Sequence, residues 1–305
     1  MIKIAHLNLW GGGEKTVLEW FINFIIYNQI DDQVIKIKPE ANPDILLCSC
    51  CGNLENVNKV KAKVKIFFYG ENLNRSPYKQ YQNFKKLKNT FDLILGFRYT
   101  DKSNKIFRFP LWLIYYDYYN LNDQSNNILA HLEREYSRNL NLNKERLGSL
   151  ICSHDKGGQR KILLKELEKY GKVYCPAKFN NNCQRIGRDR KSKIDFIKTT
   201  TFNICPENSE GEGYFTEKIF HAFEGGAIPI YWAIDEPEKG IINRHKYCFI
   251  KNIKNPKEVK EAIICAVENP TNYTTGTIFN DTAYEIVKEY YDDVVEQIKS
   301  KLNIS

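Results

Sequence analysis

The amino-acid sequence predicts an α/β fold in two domains, each a mostly parallel β-sheet flanked by helices. Three observations carry this expectation. Short apolar runs rich in β-branched and aromatic residues alternate with segments of helical period through both halves of the chain. A length of 305 residues suits two domains of ordinary size, and a hydrophobic share of 42% is enough for their cores. Residues 202–232 read as a complete strand, loop, helix and strand, the repeating unit of such sheets.

In the first half, residues 2–9 form a strand and Trp10 with the glycines at 11–13 breaks it. Val17, Trp20, Phe21, Phe24 and Ile25 then fall at helical spacing in a helix over 16–26. The glycine run fits neither dinucleotide-binding nor Walker spacing and reads as a tight turn at the edge of an interdomain cleft. Residues 45–48 and 64–69 are buried strands, and the lysines alternating with apolar residues over 59–65 are solvated. The strand at 64–69 ends in Gly70-Glu71-Asn72, and strand ends are where α/β folds place reactive groups. Taken alone, a glutamate there is more often structural or solvated than catalytic. The aromatic stretch 107–119, with Asp117 embedded, is either a sugar-stacking platform or packing, and packing is the expectation for most of it. Polar segments at 120–127 and 139–144 place the domain break near 145, giving domains 1–145 and 146–305.

The second half opens with a strand at 150–153 and a loop containing His154, expected to be a polar loop residue. A helix over 159–170 follows, with Ile162, Leu163 and Leu167 apolar and Arg160 at its start. A guanidinium there can clamp a diphosphate with help from the helix dipole. Residues 171–176 are a turn and strand. Arg185, Arg188, Arg190, Lys191 and Lys193 form a basic loop that either steers an anionic ligand or is solvated with Asp189 and Asp195 as local partners. Residues 247–250 make a last strand and 282–302 a closing helix, with Tyr284, Val287, Tyr291, Val294, Val295 and Ile298 on one face.

The richest chemistry lies in 202–232. The apolar run 202–205 stops at Pro206, a polar loop follows, and a helix capped by Thr216 runs to Gly225-Gly226 before a buried strand at 227–232. The helix start after a glycine loop suits a phosphate, Lys218 adds a positive charge, and Glu217 can accept hydrogen bonds from sugar hydroxyls. An ordinary βαβ unit with a solvated Glu-Lys pair explains the same residues.

Composition excludes several classes. The formal charge of +8 is spread over both halves, which suits an anionic small molecule or solubility and lacks the clustering of a nucleic-acid binder. Nine cysteines, three of them crowded at 48, 50 and 51, fit a reducing compartment and a cytoplasmic location better than a secreted disulfide framework. Cys48 and Cys51 formally make C-x-x-C, but without a second pair at zinc spacing they read as buried thiols. No run of 18 apolar residues and no cleavable leader pattern is present, so neither a membrane span nor a signal peptide is expected.

Glu207-Asn208-Ser209, then Tyr214-Phe215-Thr216-Glu217-Lys218, then Pro229-Ile230-Tyr231-Trp232 closely resemble the signature of the α1,3/α1,4-fucosyltransferases, glycosyltransferase family 10. Ala233 departs from the glycine common after that tryptophan. The first half carries the family's pattern too, in residues 69–72, 92–97 and 108–111, so the resemblance spans nearly the whole chain. It implies the glycosyltransferase B architecture, two Rossmann-like domains facing a cleft, and a soluble catalytic part like that of bacterial relatives. It implies inverting transfer of L-fucose from GDP-β-L-fucose to a hydroxyl of a GlcNAc-containing glycan, α1,3 foremost. Glu71 falls on the general base and Arg160 on a donor-binding arginine, with Asn208, Tyr214, Glu217 and Lys218 also gripping the donor. The N-terminal domain would take the acceptor and the C-terminal one GDP-fucose. No Asp-x-Asp occurs, so no metal or other cofactor is expected to be required, though a divalent cation can stimulate. The alternatives are a same-fold transferase using another nucleotide sugar and an inactive glycan-binding relative.

Overall fold

The computed structural model describes residues 1–10, 17–27, 29–31, 33–116 and 127–304. The chain forms two compact units, Met1–Tyr119 with Glu285–Ser305, and Asn120–Tyr284. The glycine run at 11–13, Thr16, Asp117 and the polar stretch 120–126 lie outside the described residues.

The first unit is built on β1 (Ile2–Leu7), β2 (Val34–Lys36), β3 (Ile45–Cys48), β4 (Val64–Phe68), β5 (Leu93–Gly96) and β6 (Ile106–Arg108). They pair in parallel in the order β2-β1-β3-β4-β5-β6. β3 and β5 are buried along their whole length, which is why they read as unbroken apolar runs rather than alternating ones. The helical pattern at 17–26 becomes α1 (Glu19–Phe21), continuing as a π-helix over Ile22–Tyr27, with Trp20, Phe21, Ile25 and Ile26 buried. α2 (Leu54–Lys59) and α3 (Phe84–Thr90) start on Asn53 and Asn83, whose side chains accept from backbone N–H groups. Among the described residues of the aromatic stretch Phe107, Phe109, Trp112 and Tyr116 are buried, and only Tyr115 reaches solvent appreciably.

The second unit begins with α4 (Ile128–Leu140), capped by Asn127. There follow β7 (Arg146–Leu150), α5 (Gln159–Leu167), β8 (Val173–Tyr174), α6 (Arg190–Ile197), β9 (Thr200–Ile204), α7 (Lys218–Glu224), β10 (Ile228–Trp232), β11 (Cys248–Ile250) and α8 (Pro256–Glu268). The sheet is parallel, ordered β11-β10-β9-β7-β8. Its core joins Leu163, Leu164 and Leu167 of α5 to Phe202, Ile204, Ile230 and Trp232, whereas Ile162, expected on the apolar face, is exposed.

The division differs from a break near 145. Residues 127–145 belong to the second unit, because Asn139 Nδ2 donates to Glu224 O at 2.7 Å and Lys144 Nζ donates to the carbonyls of Asn139, Lys198 and Gly225. Gly226, at φ +66°, packs so closely on Asn139 that a Cβ would lie 2.3 Å from its carbonyl carbon. The closing helix α9 (Ala283–Leu302), in turn, belongs with the first unit from Glu285 onward. Tyr291 stacks edge-on to Phe109 and against Trp20, while Asp293 pairs with Lys102 and Lys301 with Asp92. Among the described residues no helix is long and apolar enough to cross a membrane.

Candidate functional site

In the second unit the strand order reverses between β7 and β9, and in parallel sheets the crevice beyond the carboxyl ends at that switch point is where ligands bind. The loops after these two strands are lashed together. Gln159 Nε2 donates to Glu207 O at 2.9 Å, and the buried Arg160 guanidinium donates to Asn208 Oδ1 and to His154 O. Between the loops lies a cavity of about 230 Å³ whose wall includes Arg160, Asn208, Glu217, Lys218, Lys193 and Cys152. A neighbouring cavity of about 790 Å³ shares Ile151, Cys152, Ser153 and Lys193, and adds Lys178, Arg185 and Arg188. Four of the five residues expected to hold a donor therefore converge on one site. Tyr214 is buried and does not line either cavity.

The start of α5 is not an open phosphate cradle: Asp155 occupies it, its two carboxylate oxygens accepting from Arg160 N at 3.1 Å and Lys161 N at 2.8 Å. Thr216 does not cap α7, which begins two residues later. Its N–H and hydroxyl both bond to Glu207, because the carboxylate offers a stronger acceptor than a turn carbonyl. Arg160, Lys193 and Lys218 bring positive side chains to the cavity wall.

Glu207 is the hub that the sequence leaves unannounced. Fully buried, it takes Thr216, the Tyr231 hydroxyl at 2.7 Å and the Lys218 ammonium at 2.8 Å. Lys218 also reaches Thr216 Oγ1 at 2.6 Å. Burial disfavours its charge, but Glu207 and Glu217 more than offset this and hold its pKa above the usual lysine range. Burial likewise pushes Glu217 toward neutrality, yet Lys218 and Lys193 hold it below its ordinary value, so it faces the cavity ionised.

The basic loop resolves into parts with different roles. Asp189 caps α6 by accepting from Ser192 N at 2.8 Å, Arg190 pairs with Glu224, and Lys191 pairs with Asp195 at the surface. Lys193 points the other way, into the cavity wall, with Nζ 3.0 Å from His221 Nδ1. The one available signal was its position four residues before the buried Ile197, on the same helical face.

In the first unit Glu71 follows β4 at the carboxyl edge of the sheet. Its side chain is 38% exposed and Oε2 accepts from Arg75 Nη1 at 3.0 Å. Gly70 permits this loop, since a Cβ there would meet Leu111 at 2.7 Å. Nearby, burial and then the Glu71 carboxylate push the Tyr78 hydroxyl up to about 12, and burial raises the Cys50 thiol to about 12. Cys48 and Cys50 are buried, Cys51 is exposed, and none of the nine cysteines is paired. Among the described residues no cluster of three or more His, Cys, Asp or Glu side chains is arranged to hold a metal.

Two parallel α/β units, with a cation-lined crevice at the switch point of one, define a fold of the glycosyltransferase B class, and known proteins agree. A family model described as the alpha-(1,3)-fucosyltransferase FucT N-terminal domain matches residues 19–115, and one described as glycosyltransferase family 10 (fucosyltransferase) C-term matches 141–290. The chain belongs to glycosyltransferase family 10. The alpha-(1,3)-fucosyltransferase FucT of Helicobacter pylori is 26% identical over 97% of this chain, and the chain spans 66% of that relative, just under two thirds of its length. Crystal structures of an alpha1,3-fucosyltransferase with GDP and with GDP-fucose superpose with TM-scores of 0.64 and 0.65. Each is 21% identical and covers 97% of this chain and 90% of the other.

Proposed function

We propose that this chain transfers L-fucose from GDP-β-L-fucose to a hydroxyl of a GlcNAc-containing glycan, forming an α1,3 linkage with inversion. The convergence of Arg160, Asn208, Glu217 and Lys218 on one crevice at the switch point carries this reading. Structural neighbours described with GDP and GDP-fucose support the donor. In this reading the second unit holds the donor: cationic side chains take the charge that develops on the departing GDP, and the ionised Glu217 accepts from sugar hydroxyls. The first unit supplies Glu71 to take the proton of the acceptor hydroxyl. With cations in place of a metal bridge, no divalent ion is required, although one can stimulate. The unpaired cysteines support a reducing compartment such as the cytoplasm.

The test is product formation from GDP-fucose and GlcNAc-containing acceptors, alongside UDP- and GDP-linked sugars as competing donors. Transfer from GDP-fucose that persists in EDTA is the expected result. Preference for another donor, or complete loss in EDTA that metal restores, overturns the corresponding part of the proposal.

Arg160→Ala removes a buried guanidinium whose present partners, Asn208 and a carbonyl, are neutral. GDP binding should weaken by about 1.5–3 kcal/mol, the usual loss for a hydrogen bond to a charged group. Unchanged affinity by calorimetry removes Arg160 from the donor site. Lys218→Ala is the poorer probe, because it also strands the buried Glu207 carboxylate.

A further inference from the structure

The crevice holds three cations, and they differ in what neutralises them. The Lys218 ammonium lies 2.8 Å from the Glu207 carboxylate. Arg160 bonds only neutral side-chain and carbonyl oxygens. Lys193, partly buried in α6, makes among the described residues one side-chain hydrogen bond, to the imidazole of His221, and no ion pair. A shielded ammonium beside a neutral partner is costly until an anion arrives.

Its location says where that anion would sit. Lys193 is the one basic residue common to the walls of both cavities, the smaller with Arg160 and Lys218 and the larger with Arg185 and Arg188. A nucleoside diphosphate with its base in one compartment and the far end of the molecule in the other would bring its phosphates to the shared wall. Glu217 acts on both Lys193 and Lys218, and Glu207 pairs with Lys218, so two carboxylates stand against three cations and the crevice keeps surplus positive charge. His221 is buried and neutral: burial, then the charges of Lys193 and Arg190, hold its pKa well below the usual value of 6.5. Nδ1 can therefore accept from the ammonium and fix its direction without cancelling its charge.

We propose that Lys193 is a diphosphate-binding residue at the junction of the two cavities, and that His221 is the positioning residue behind it. This rests on reading the crevice as a nucleotide-sugar site.

The test titrates GDP, UDP, ADP and guanosine into the wild-type chain and into Lys193→Met, Lys193→Arg, His221→Leu and His221→Gln, by calorimetry. Lys193→Met should lose roughly 10- to 100-fold in affinity for the preferred nucleoside diphosphate, the range for a lost charged hydrogen bond. Its affinity for guanosine should be unchanged. Lys193→Arg, which keeps the charge, and His221→Gln, which keeps an acceptor, should stay within a few-fold of wild type, while His221→Leu follows Lys193→Met. Wild-type diphosphate affinity in Lys193→Met, or parallel loss for diphosphate and guanosine, overturns the proposal. If the wild type prefers UDP or ADP, the GDP assignment falls while Lys193 is judged on that nucleotide. If no nucleoside diphosphate binds, both readings fall.

Discussion

Replacing Glu71 by Gln should lower kcat by roughly 10²- to 10⁴-fold, the usual contribution of a general base, while GDP affinity and melting temperature stay at their wild-type values. Gln preserves the shape and one acceptor oxygen but cannot take the acceptor's proton. Stability should hold because the ion pair being removed is a surface one: Glu71 is 38% and Arg75 33% exposed, and such pairs contribute little to folding. Donor affinity should hold because Glu71 sits in the first unit, whereas every residue lining the described crevice belongs to the second. Turnover and GDP binding measured on the same preparation separate the outcomes. Near-normal kcat removes Glu71 from the chemistry. A collapse of folding would show instead that the carboxylate holds its strand-end loop together.

The second large effect concerns Glu207. Glu207→Gln deprives the Lys218 ammonium, 16% exposed, of the carboxylate it pairs with, and weakens the contacts to Thr216 and Tyr231. Breaking a buried pair on one side costs about 3–5 kcal/mol. Removing both charges in Glu207→Gln/Lys218→Met should recover much of that loss, because neither member of the pair is then stranded and Lys193 still faces Glu217. The double variant should still bind donor poorly. The measurement is the urea midpoint of the second unit, followed by hydrogen exchange of β9 and β10 so that the two units are not averaged. A single variant as stable as wild type, or a double variant no better than the single, contradicts the role given to Glu207.

Much of this was legible beforehand because it depends on local pattern. The unbroken apolar run at 45–48 became a fully buried parallel strand, since such strands are covered on both faces. The closing helix followed from its periodic face, on which Val287, Tyr291, Val294 and Ile298 are all buried. The loop-and-helix signature at 207–218 brought Arg160, Asn208, Glu217 and Lys218 within view of one another, because in a parallel sheet residues at neighbouring strand ends share an edge. The unit to which a terminal helix returns is not a local property. Tyr291 could meet Phe109 and Trp20 only once the chain had come back from the second unit, which moved α9 to the first unit against the order of the sequence.

By itself, then, the sequence determined the α/β class, several of the strands and helices, the resemblance to the family and the residue types gathered for the site, but not the helices at 128–140, 190–197 and 256–268. Tertiary structure decided how those charges are spent. Glu207 reads only as the start of a polar loop and of the signature, yet it neutralises Lys218; Asp155 fills the start of α5; and Lys193, read as one member of a basic loop, lies in α6 against His221. The physical reason is that an ionic group takes its role from which partner lies within about 3 Å and how much water is excluded, and both depend on contacts between segments distant in the chain.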